Sequence, residues 1–197
     1  ASTLFGYIIG LPMGIVLTVT DKDGIRPNAA VYKVLDVISN LLRSIPFIIL
    51  LIVLIPFTRF VVGRSYGSTA TIVPLTIAAA PYIARMVESS LKEVDAGVIE
   101  AARSMGASDF QIVTKVMLVE ARTSLIVGAT ISLGTILGYS AMAGTVGGGG
   151  LGDIAIRYGY TRWQTDIMVV TVVLLVILFQ IFQTIGMKIA NRLDRRK

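Results

Sequence analysis

The chain has 197 residues, of which 54% are hydrophobic and 15% are charged, and its mean hydropathy is +0.78. Soluble domains carry about 25% charged residues, so this composition predicts an integral membrane protein. The net charge of +6 would suggest a nucleic-acid partner in a soluble chain, but no basic stripe is interleaved with aromatic residues. We therefore expect no nucleic acid among its partners.

The sequence contains no cysteine and no histidine. It therefore lacks disulfides, thiolate and imidazole metal ligands, and the usual serine–histidine machinery, which disfavours most enzyme classes. No phosphate-binding P-loop motif occurs, so any ATP that the protein uses has to be bound by another chain. We expect a protein that is not an enzyme and holds no cofactor or metal of its own.

The first apolar segment covers residues 3–19 and carries no charge, which predicts a membrane-spanning helix. It starts in mid-run without a methionine, so we expect a few residues ahead of Ala1 to complete the span. A signal peptide is the alternative, although neither a basic leading region nor a small-residue cleavage site supports it. Gly6, Gly10 and Gly14 share one helix face; they either admit a close neighbour or reflect the general frequency of glycine in spans.

Polar side chains mark the ends of the next two predicted spans, residues 32–57 and 69–87. One helix face at the entry of the second span carries Asp36, Asn40 and Arg43. Such a face indicates either a wet cytoplasmic end or a surface toward substrate. At the exit of the third span, Arg85 and Glu88 are three residues apart and are expected to form an ion pair.

Four prolines are expected to shape the same two spans. In the second span, Pro46 predicts a kink and Pro56 predicts the end, followed by a short outer loop. In the third span, Pro74 and Pro81 predict a helix that is interrupted twice, which membranes tolerate when neighbours satisfy the freed carbonyl groups.

The polar connector over residues 93–122, called the coupling loop below, reads as two short helices. Asp95 is suited to cap the first helix, and Gly106 is suited to end it in a left-handed conformation. Ser108 and Gln111 have the spacing of a capping box that starts the second helix. Each helix has an apolar side, which for the first comprises Val98, Ala102 and Met105. The helices either pack on the rest of the chain or present a slim, small-residue end to another protein.

The fourth predicted span, residues 123–143, carries many small and hydroxylated residues and no charge, so we place it centrally. Its hydroxyl groups either serve helix packing or face a pathway. Met142 lies where the span gives way to glycines, and a flexible thioether there could plug a narrow passage. The candidate gate or path residues are Met142, Tyr139 and Ser140.

A glycine-rich segment precedes the fifth predicted span, residues 167–187. Gly147, Gly149 and Gly152 satisfy G-x-G-x-x-G, but no strand precedes them, so we reject a dinucleotide site and expect a sharp reversal of the backbone at the membrane face. Trp163 is expected in the aromatic belt at that interface.

The distribution of basic residues predicts the orientation. Five spans with the coupling loop inside place the N-terminus outside and the C-terminus inside, with Arg195, Arg196 and Lys197 in the inner tail. Four bases then lie outside: Arg59, Arg64, Arg157 and Arg162. This bias agrees with the positive-inside rule.

Glu100, Ala101 and Ala102, followed by Gly106, resemble the signature loop of the membrane subunits of ATP-binding-cassette importers, although Val119 stands where that family has a proline. The segments RSIPFIILL, APYIARMVE, GYSAMAG and GGGGLGDIAIRYGY extend the resemblance over nearly the whole chain, to the permease of methionine-type ABC importers. The missing proline suggests that the second short helix runs on into the fourth span.

The resemblance implies an all-α integral membrane fold of the type I importer class, with five transmembrane helices in one domain over residues 1–197. It implies a permease in the bacterial cytoplasmic membrane that imports methionine, D-methionine or related compounds by alternating access. The partners implied are a second copy of the chain, two cytoplasmic ATPases that hold ATP and magnesium, an extracytoplasmic binding lipoprotein and membrane lipid. The implied ATPase-coupling residues are Glu100, Ala101, Ala102, Gly106, Ala107 and Asp109.

Five helices without an internal duplication also favour a homodimer on their own account, because a closed polar route with two gates needs more helices. The alternatives are a permease for another amino acid and an ion-coupled secondary transporter. The second alternative would need an ion-coupling carboxylate or an inverted repeat, and the sequence has neither.

Overall fold

A computed structural model describes residues 1–193 as helices joined by short turns. The tail bases Arg195, Arg196 and Lys197 lie outside the described residues. The described part contains no strand, in agreement with the predicted all-α class. The helices are α1 (Ser2–Thr20), α2 (Ala29–Ser44), α3 (Phe47–Val53), α4 (Ile55–Val62), α5 (Ser68–Lys92), α6 (Ala96–Ser104), α7 (Asp109–Gln111), α8 (Leu118–Glu120), α9 (Arg122–Ala143), α10 (Gly150–Ile154) and α11 (Thr165–Leu193). Two π-helical segments, Ile112–Met117 and Ala155–Tyr160, and a 3₁₀ turn, Gly144–Val146, complete them.

Helix α5 forms the centre of the fold, and 67% of its most apolar stretch is buried, against 6% for α11. Helix α1 packs along α5 through its glycine face. A Cβ atom at Gly10 would lie 2.6 Å from the carbonyl oxygen of Ala80, and one at Gly14 would lie 2.5 Å from that of Ala84. The close neighbour expected from the glycine spacing is therefore present, because no larger residue fits at these two positions.

The prediction that α5 is interrupted twice is wrong. The helix continues from Ser68 to Lys92 through Pro74 and Pro81, both of which are buried. Each proline removes one backbone hydrogen bond, but neighbouring helices enclose this segment, so their packing holds the backbone helical on both sides of the proline.

The second predicted span, residues 32–57, is not one kinked helix. Its two halves, α2 and α3, meet at an angle of 103°. Ile45 has an extended backbone (φ −82°, ψ 124°), as a residue before proline favours, and this breaks the helix instead of bending it. Pro56 lies in the first turn of α4, where its missing N–H costs nothing, so it starts a helix in the predicted outer loop.

Four helices among residues 1–193 are long and apolar enough to cross a membrane, namely α1, α5, α9 with its 3₁₀ extension, and α11. The number reaches five when the bent pair α2 and α3 is taken as one crossing. The five-span topology agrees with this range and stays a prediction.

Candidate functional site

Side-chain caps start both short helices of the coupling loop, as predicted. The carboxylate of Asp95 accepts a hydrogen bond of 2.7 Å from the N–H of Gly97. The Ser108 hydroxyl accepts from the N–H of Gln111 at 3.4 Å, and the Gln111 side chain accepts from the N–H of Ser108 at 2.9 Å. These bonds satisfy N–H groups that have no partner inside the helix.

The end of α6 has the left-handed geometry that Gly106 predicted. Gly106 has φ +82°, and its N–H donates to the carbonyl oxygen of Arg103 at 2.9 Å. The N–H of Ala107 donates to the carbonyl oxygen of Ala102 at 3.1 Å, which completes a Schellman motif. A Cβ atom at Gly106 would meet no atom of this chain within 4 Å, so there is open space at the tip of the loop.

The second short helix runs almost without a break into α9. Helical backbone continues from Asp109 through the π-helical segment to Glu120, and Ala121 (φ −78°, ψ 0°) is the point at which the helix is interrupted before α9 begins. Val119 has an N–H that a proline would lack, which agrees with the expectation that the second short helix runs on past this position.

The inner sides of the two short helices join the core beneath the coupling loop, and α6 lies on the π-helical segment Ile112–Met117. Ala102 is 5% exposed, and the second helix buries Ile112, Val113 and Met117. They join one core cluster with the α5 residues Ile83, Val87 and Leu91. Ala102 therefore faces its own chain, and its role in coupling stays a prediction.

The opposite side of the loop projects two large apolar side chains beside Gly106. Met105 is 82% exposed and Phe110 is 76% exposed. The prediction that Val98, Ala102 and Met105 form one apolar side is not matched by their burial, because Val98 is also 41% exposed and Ala102 alone of the three reaches the core. The N–H of Met105 still donates to the carbonyl oxygen of Ala101 at 3.1 Å, so its exposure is not caused by the end of the helix. Phe110 was not among the residues predicted for this site. The capping box at Ser108 fixes where the second helix begins, and counting from there places Phe110 on the side opposite to Ile112.

The remaining predicted coupling residues surround this tip. Glu100, Ala101 and Asp109 are exposed, and Ala107 is half-buried. An open groove of about 440 Å³ lies beside the start of α6. Its charged lining residues are Glu93, Asp95, Glu120 and Arg122. The tip thus combines a small-residue helix end with two exposed apolar side chains, which suits contact with a partner protein.

The structure does not bring the three candidate path residues together. Tyr139 is half-buried and its ring stacks on Phe47 of α3, with centroids 4.7 Å apart and planes 9° apart. Met142 is 51% exposed, and Ser140 is also exposed. Tyr139 therefore connects α9 to α3, whereas Met142 and Ser140 face away from the chain.

The glycines after Met142 make the predicted reversal. Gly147, Gly149 and Gly150 all have positive φ angles of 75–80°, which residues with a side chain rarely adopt. The carbonyl oxygen of Gly147 accepts a hydrogen bond of 3.0 Å from the N–H of Gly67, just before α5. The reversal is thereby attached to the central helix.

The predicted ion pair of Arg85 and Glu88 is present at 2.7 Å. Arg85 also forms an ion pair with Asp36 and a hydrogen bond with Asn40. The polar face of the second span is therefore directed at α5, within the protein. Arg43, the third member of the predicted face, is exposed.

Comparison with known proteins identifies relatives over nearly the whole chain. The family described as binding-protein-dependent transport system inner membrane component matches residues 8–197. The chain is 50% identical over 191 residues to the probable D-methionine transport system permease protein MetI of Vibrio cholerae. This alignment covers 97% of this chain and 85% of the relative. It is 56% identical over 143 residues to the D-methionine transport system permease protein MetI of Escherichia coli, covering 73% of this chain and 66% of the relative.

Solved structures agree with these sequence relatives. A solved structure of the MetNI methionine ABC transporter in an inward-facing conformation matches with a TM-score of 0.97 and 52% sequence identity. The match covers 98% of this chain and 90% of the chain in that structure. An amino acid ABC transporter matches at 21% identity with a TM-score of 0.74, over 97% and 88% of the two chains, which shows a shared fold.

Proposed function

Because the chain belongs to the family of binding-protein-dependent transport system inner membrane components, we propose that it is the permease of an ATP-driven importer of methionine. It is a multi-pass membrane transport subunit and not itself an enzyme. The observation that carries the proposal is the exposed tip of the coupling loop, where Met105 and Phe110 project beside the open left-handed Gly106.

The assembly that suits this function contains two copies of the permease, two cytoplasmic ATPases and an extracytoplasmic binding protein. The sequence has no P-loop, so ATP and magnesium belong to the ATPases. Residues 1–197 form a single transmembrane domain without internal duplication, and a two-fold pair supplies the second half of the conduit.

The coupling loop lies on the cytoplasmic side and enters a cleft of the ATPase. Glu100, Ala101, Gly106, Ala107 and Asp109 form the helix end that this cleft holds. Met105 and Phe110 add apolar contact area, which is the main source of affinity at interface centres. Ala102 contributes indirectly, because its burial holds α6 on the core beneath the loop.

The translocation path runs along the exposed side of α9, with Met142 and Ser140 at its lining and Tyr139 as the link to α3. ATP binding draws the ATPases together and opens the path outward, and hydrolysis resets it. The nucleotide can drive this change because it stabilises one transporter state more than the other. The N-terminus then lies outside and the C-terminus inside.

Methionine, including D-methionine, is the proposed substrate, because the relatives that cover most of the chain carry that name. The test is reconstitution of the permease with its ATPase and binding protein in proteoliposomes, followed by uptake of labelled methionine in competition with other amino acids. ATP-dependent uptake that methionine alone competes away is expected. Uptake driven by a proton gradient without the ATPase would overturn the proposal in favour of a secondary transporter.

A further inference from the structure

Charged side chains from three helices meet at the base of the coupling loop. The cluster, called the charged joint below, consists of Asp21 after α1, Asp36 on α2, and Arg85, Glu88 and Lys92 on α5. None of these residues belongs to the proposed ATPase surface or to the proposed path.

Arg85 is the centre of the half of the joint that faces α2. Its Nη1 atom lies 2.7 Å from Oε2 of Glu88, and its guanidinium forms an ion pair with Asp36. Nη2 also donates to the side-chain oxygen of Asn40 at 3.1 Å. A guanidinium holds several acceptors in a fixed geometry, so Arg85 fixes the position of α2 against α5.

Lys92 and Glu88 form the other half. Nζ of Lys92 lies 2.5 Å from Oδ2 of Asp21 and 2.8 Å from Oε1 of Glu88. The hydroxyl of Tyr32 donates to the same Oε1 at 3.3 Å. The Glu88 side chain is 6% exposed, so water cannot readily replace a partner that is lost.

Helix α2 lies against α1 and α5 but buries little of its own surface in this chain. Among its sixteen residues, all of which the structure describes, Ser39 is the one that is buried. Five large apolar side chains of α2 are exposed, namely Val31, Val34, Val37, Ile38 and Leu41. The polar contacts of the joint therefore add specific side-chain links between α2 and α5.

The joint lies between the coupling loop and the path. Lys92 ends α5 only four residues before α6 begins, and the side chain of Arg103 on α6 donates to the carbonyl oxygen of Ile25, in the turn before α2, at 3.0 Å. At its other end, α2 leads through the 103° bend to α3, whose Phe47 stacks on Tyr139 of α9. A continuous set of contacts thus connects the loop to α9.

We propose that Asp36, Arg85 and Glu88 are positioning residues for transport, which fasten α2 to α5 so that a displacement of the coupling loop also displaces α2, α3 and Tyr139. The proposal rests on the proposed function, because an ATPase has to move the loop. Without the joint, the ATPase still grips the loop and hydrolyses ATP, but α2 and α3 no longer follow it. The import of substrate per ATP then falls.

The test compares ATP hydrolysis and methionine uptake in the same proteoliposomes, with the complete complex of permease, ATPase and binding protein. Asp36→Asn keeps the size of the side chain and removes its charge. We expect the ratio of methionine imported to ATP hydrolysed to fall on the order of fivefold or more, with hydrolysis retained. Arg85→Lys keeps a charge at its position and is expected to lower the ratio less than Arg85→Gln. A purely structural role would lower hydrolysis and uptake together through loss of assembled complex.

Arg157→Gln is the matched control. It breaks the ion pair of Asp153 and Arg157, which are four residues apart in one helical segment with 3.2 Å between Oδ2 and Nη2, and which link no separate helices. We expect an unchanged ratio for this variant. An unchanged ratio for an assembled Asp36→Asn complex would overturn the proposal.

If Asp36→Asn does not assemble, Asn40→Ala replaces it, since this change leaves every charge in place and removes one acceptor from Arg85 and one amide donor from Asp36. A smaller fall in the ratio supports the joint, and an unchanged ratio overturns it. Failure of the wild-type complex to import methionine with ATP would instead contradict the proposed function, so the two failures are distinguishable.

Discussion

Substitution of Gly106 separates the folding of the coupling loop from its contact with a partner. Gly106 has φ +82°, and a Cβ atom added there would meet no atom of this chain within 4 Å. The chain itself therefore leaves space at this position, and we expect an effect that grows with side-chain size to come from another molecule. The variants are Gly106→Asn, Gly106→Ala and Gly106→Leu, which together vary the size of the side chain and its tolerance of a left-handed backbone.

The cost to folding can be worked out from the backbone. A residue with a Cβ atom in the left-handed region costs about 1–2 kcal/mol, and asparagine costs less. For a chain of this length, each kcal/mol lowers the melting temperature by roughly 2–4 °C. Alanine and leucine should therefore destabilise the protein by similar amounts. Binding of the ATPase should weaken progressively from alanine to leucine.

The assay measures the melting temperature of the detergent-solubilised permease and, in parallel, its affinity for the purified ATPase. Gly63→Leu is the control, because Gly63 also ends a helix with φ +77° and open space around its Cβ position, but lies outside the coupling loop. It should show the same loss of stability with normal ATPase binding. ATPase binding that is independent of side-chain size at position 106 would refute the docking of this helix end.

Three further predictions concern packing, the path and pH. Gly14→Ala should lower the free energy of unfolding by about 1–3 kcal/mol, because the new Cβ atom would lie 2.5 Å from the Ala84 carbonyl oxygen. Gly6→Ala should cost less, because the nearest atoms to its new Cβ atom are side-chain atoms at 3.0–3.1 Å. Equal melting temperatures for the two variants would contradict this order. Met142→Cys gives the chain its only cysteine, and its reaction rate with a maleimide should differ between nucleotide-free and ATP-bound complexes, whereas identical rates would count against a gate. The hydrogen bond from Lys92 lowers the pKa of Asp21 below its ordinary value of 3.8, so the stabilisation from this pair is present above that value and is lost as the pH falls through the lowered pKa. The melting temperatures of wild type and Lys92→Met should therefore converge in acid, and a difference that is constant with pH would refute the assignment.

Local rules predicted the coupling loop well because its structure depends on nearby residues. The caps at Asp95 and Ser108 and the left-handed end at Gly106 each involve residues two to five positions apart. The exposure of Met105 and Val98 was not predicted, because the periodicity of a short helix shows which residues share a side but not how much of that side the rest of the chain covers.

Proline effects were predicted less well, because the same residue can bend, break or start a helix. Pro74 and Pro81 lie in a helix enclosed by neighbours, and the helix continues through them. Pro46 follows a residue that adopts an extended backbone, and the chain turns by 103° there. The outcome depends on how many neighbours hold the segment, which a single sequence does not contain.

The charged joint shows the same limit for polar groups. The pair of Arg85 and Glu88 could be predicted because its members are one helical turn apart. The pairs that link Asp36 to Arg85 and Asp21 to Lys92 span 49 and 71 positions, and they depend on the way α1 and α2 return to α5. Only the packed helices bring those side chains together.

The docking of the coupling loop on the ATPase is tested most directly by a site-specific cross-link between the two. The chain has no cysteine, so Phe110→Cys and Tyr66→Cys each provide one reactive site, and the two parent side chains have nearly equal exposure, 76% and 75%. In the assembled complex, a short bifunctional reagent should join Phe110→Cys to the ATPase and leave Tyr66→Cys unlinked to it. Cross-linking of Tyr66→Cys to the ATPase, with none from Phe110→Cys, would contradict the docking of the coupling loop on the ATPase.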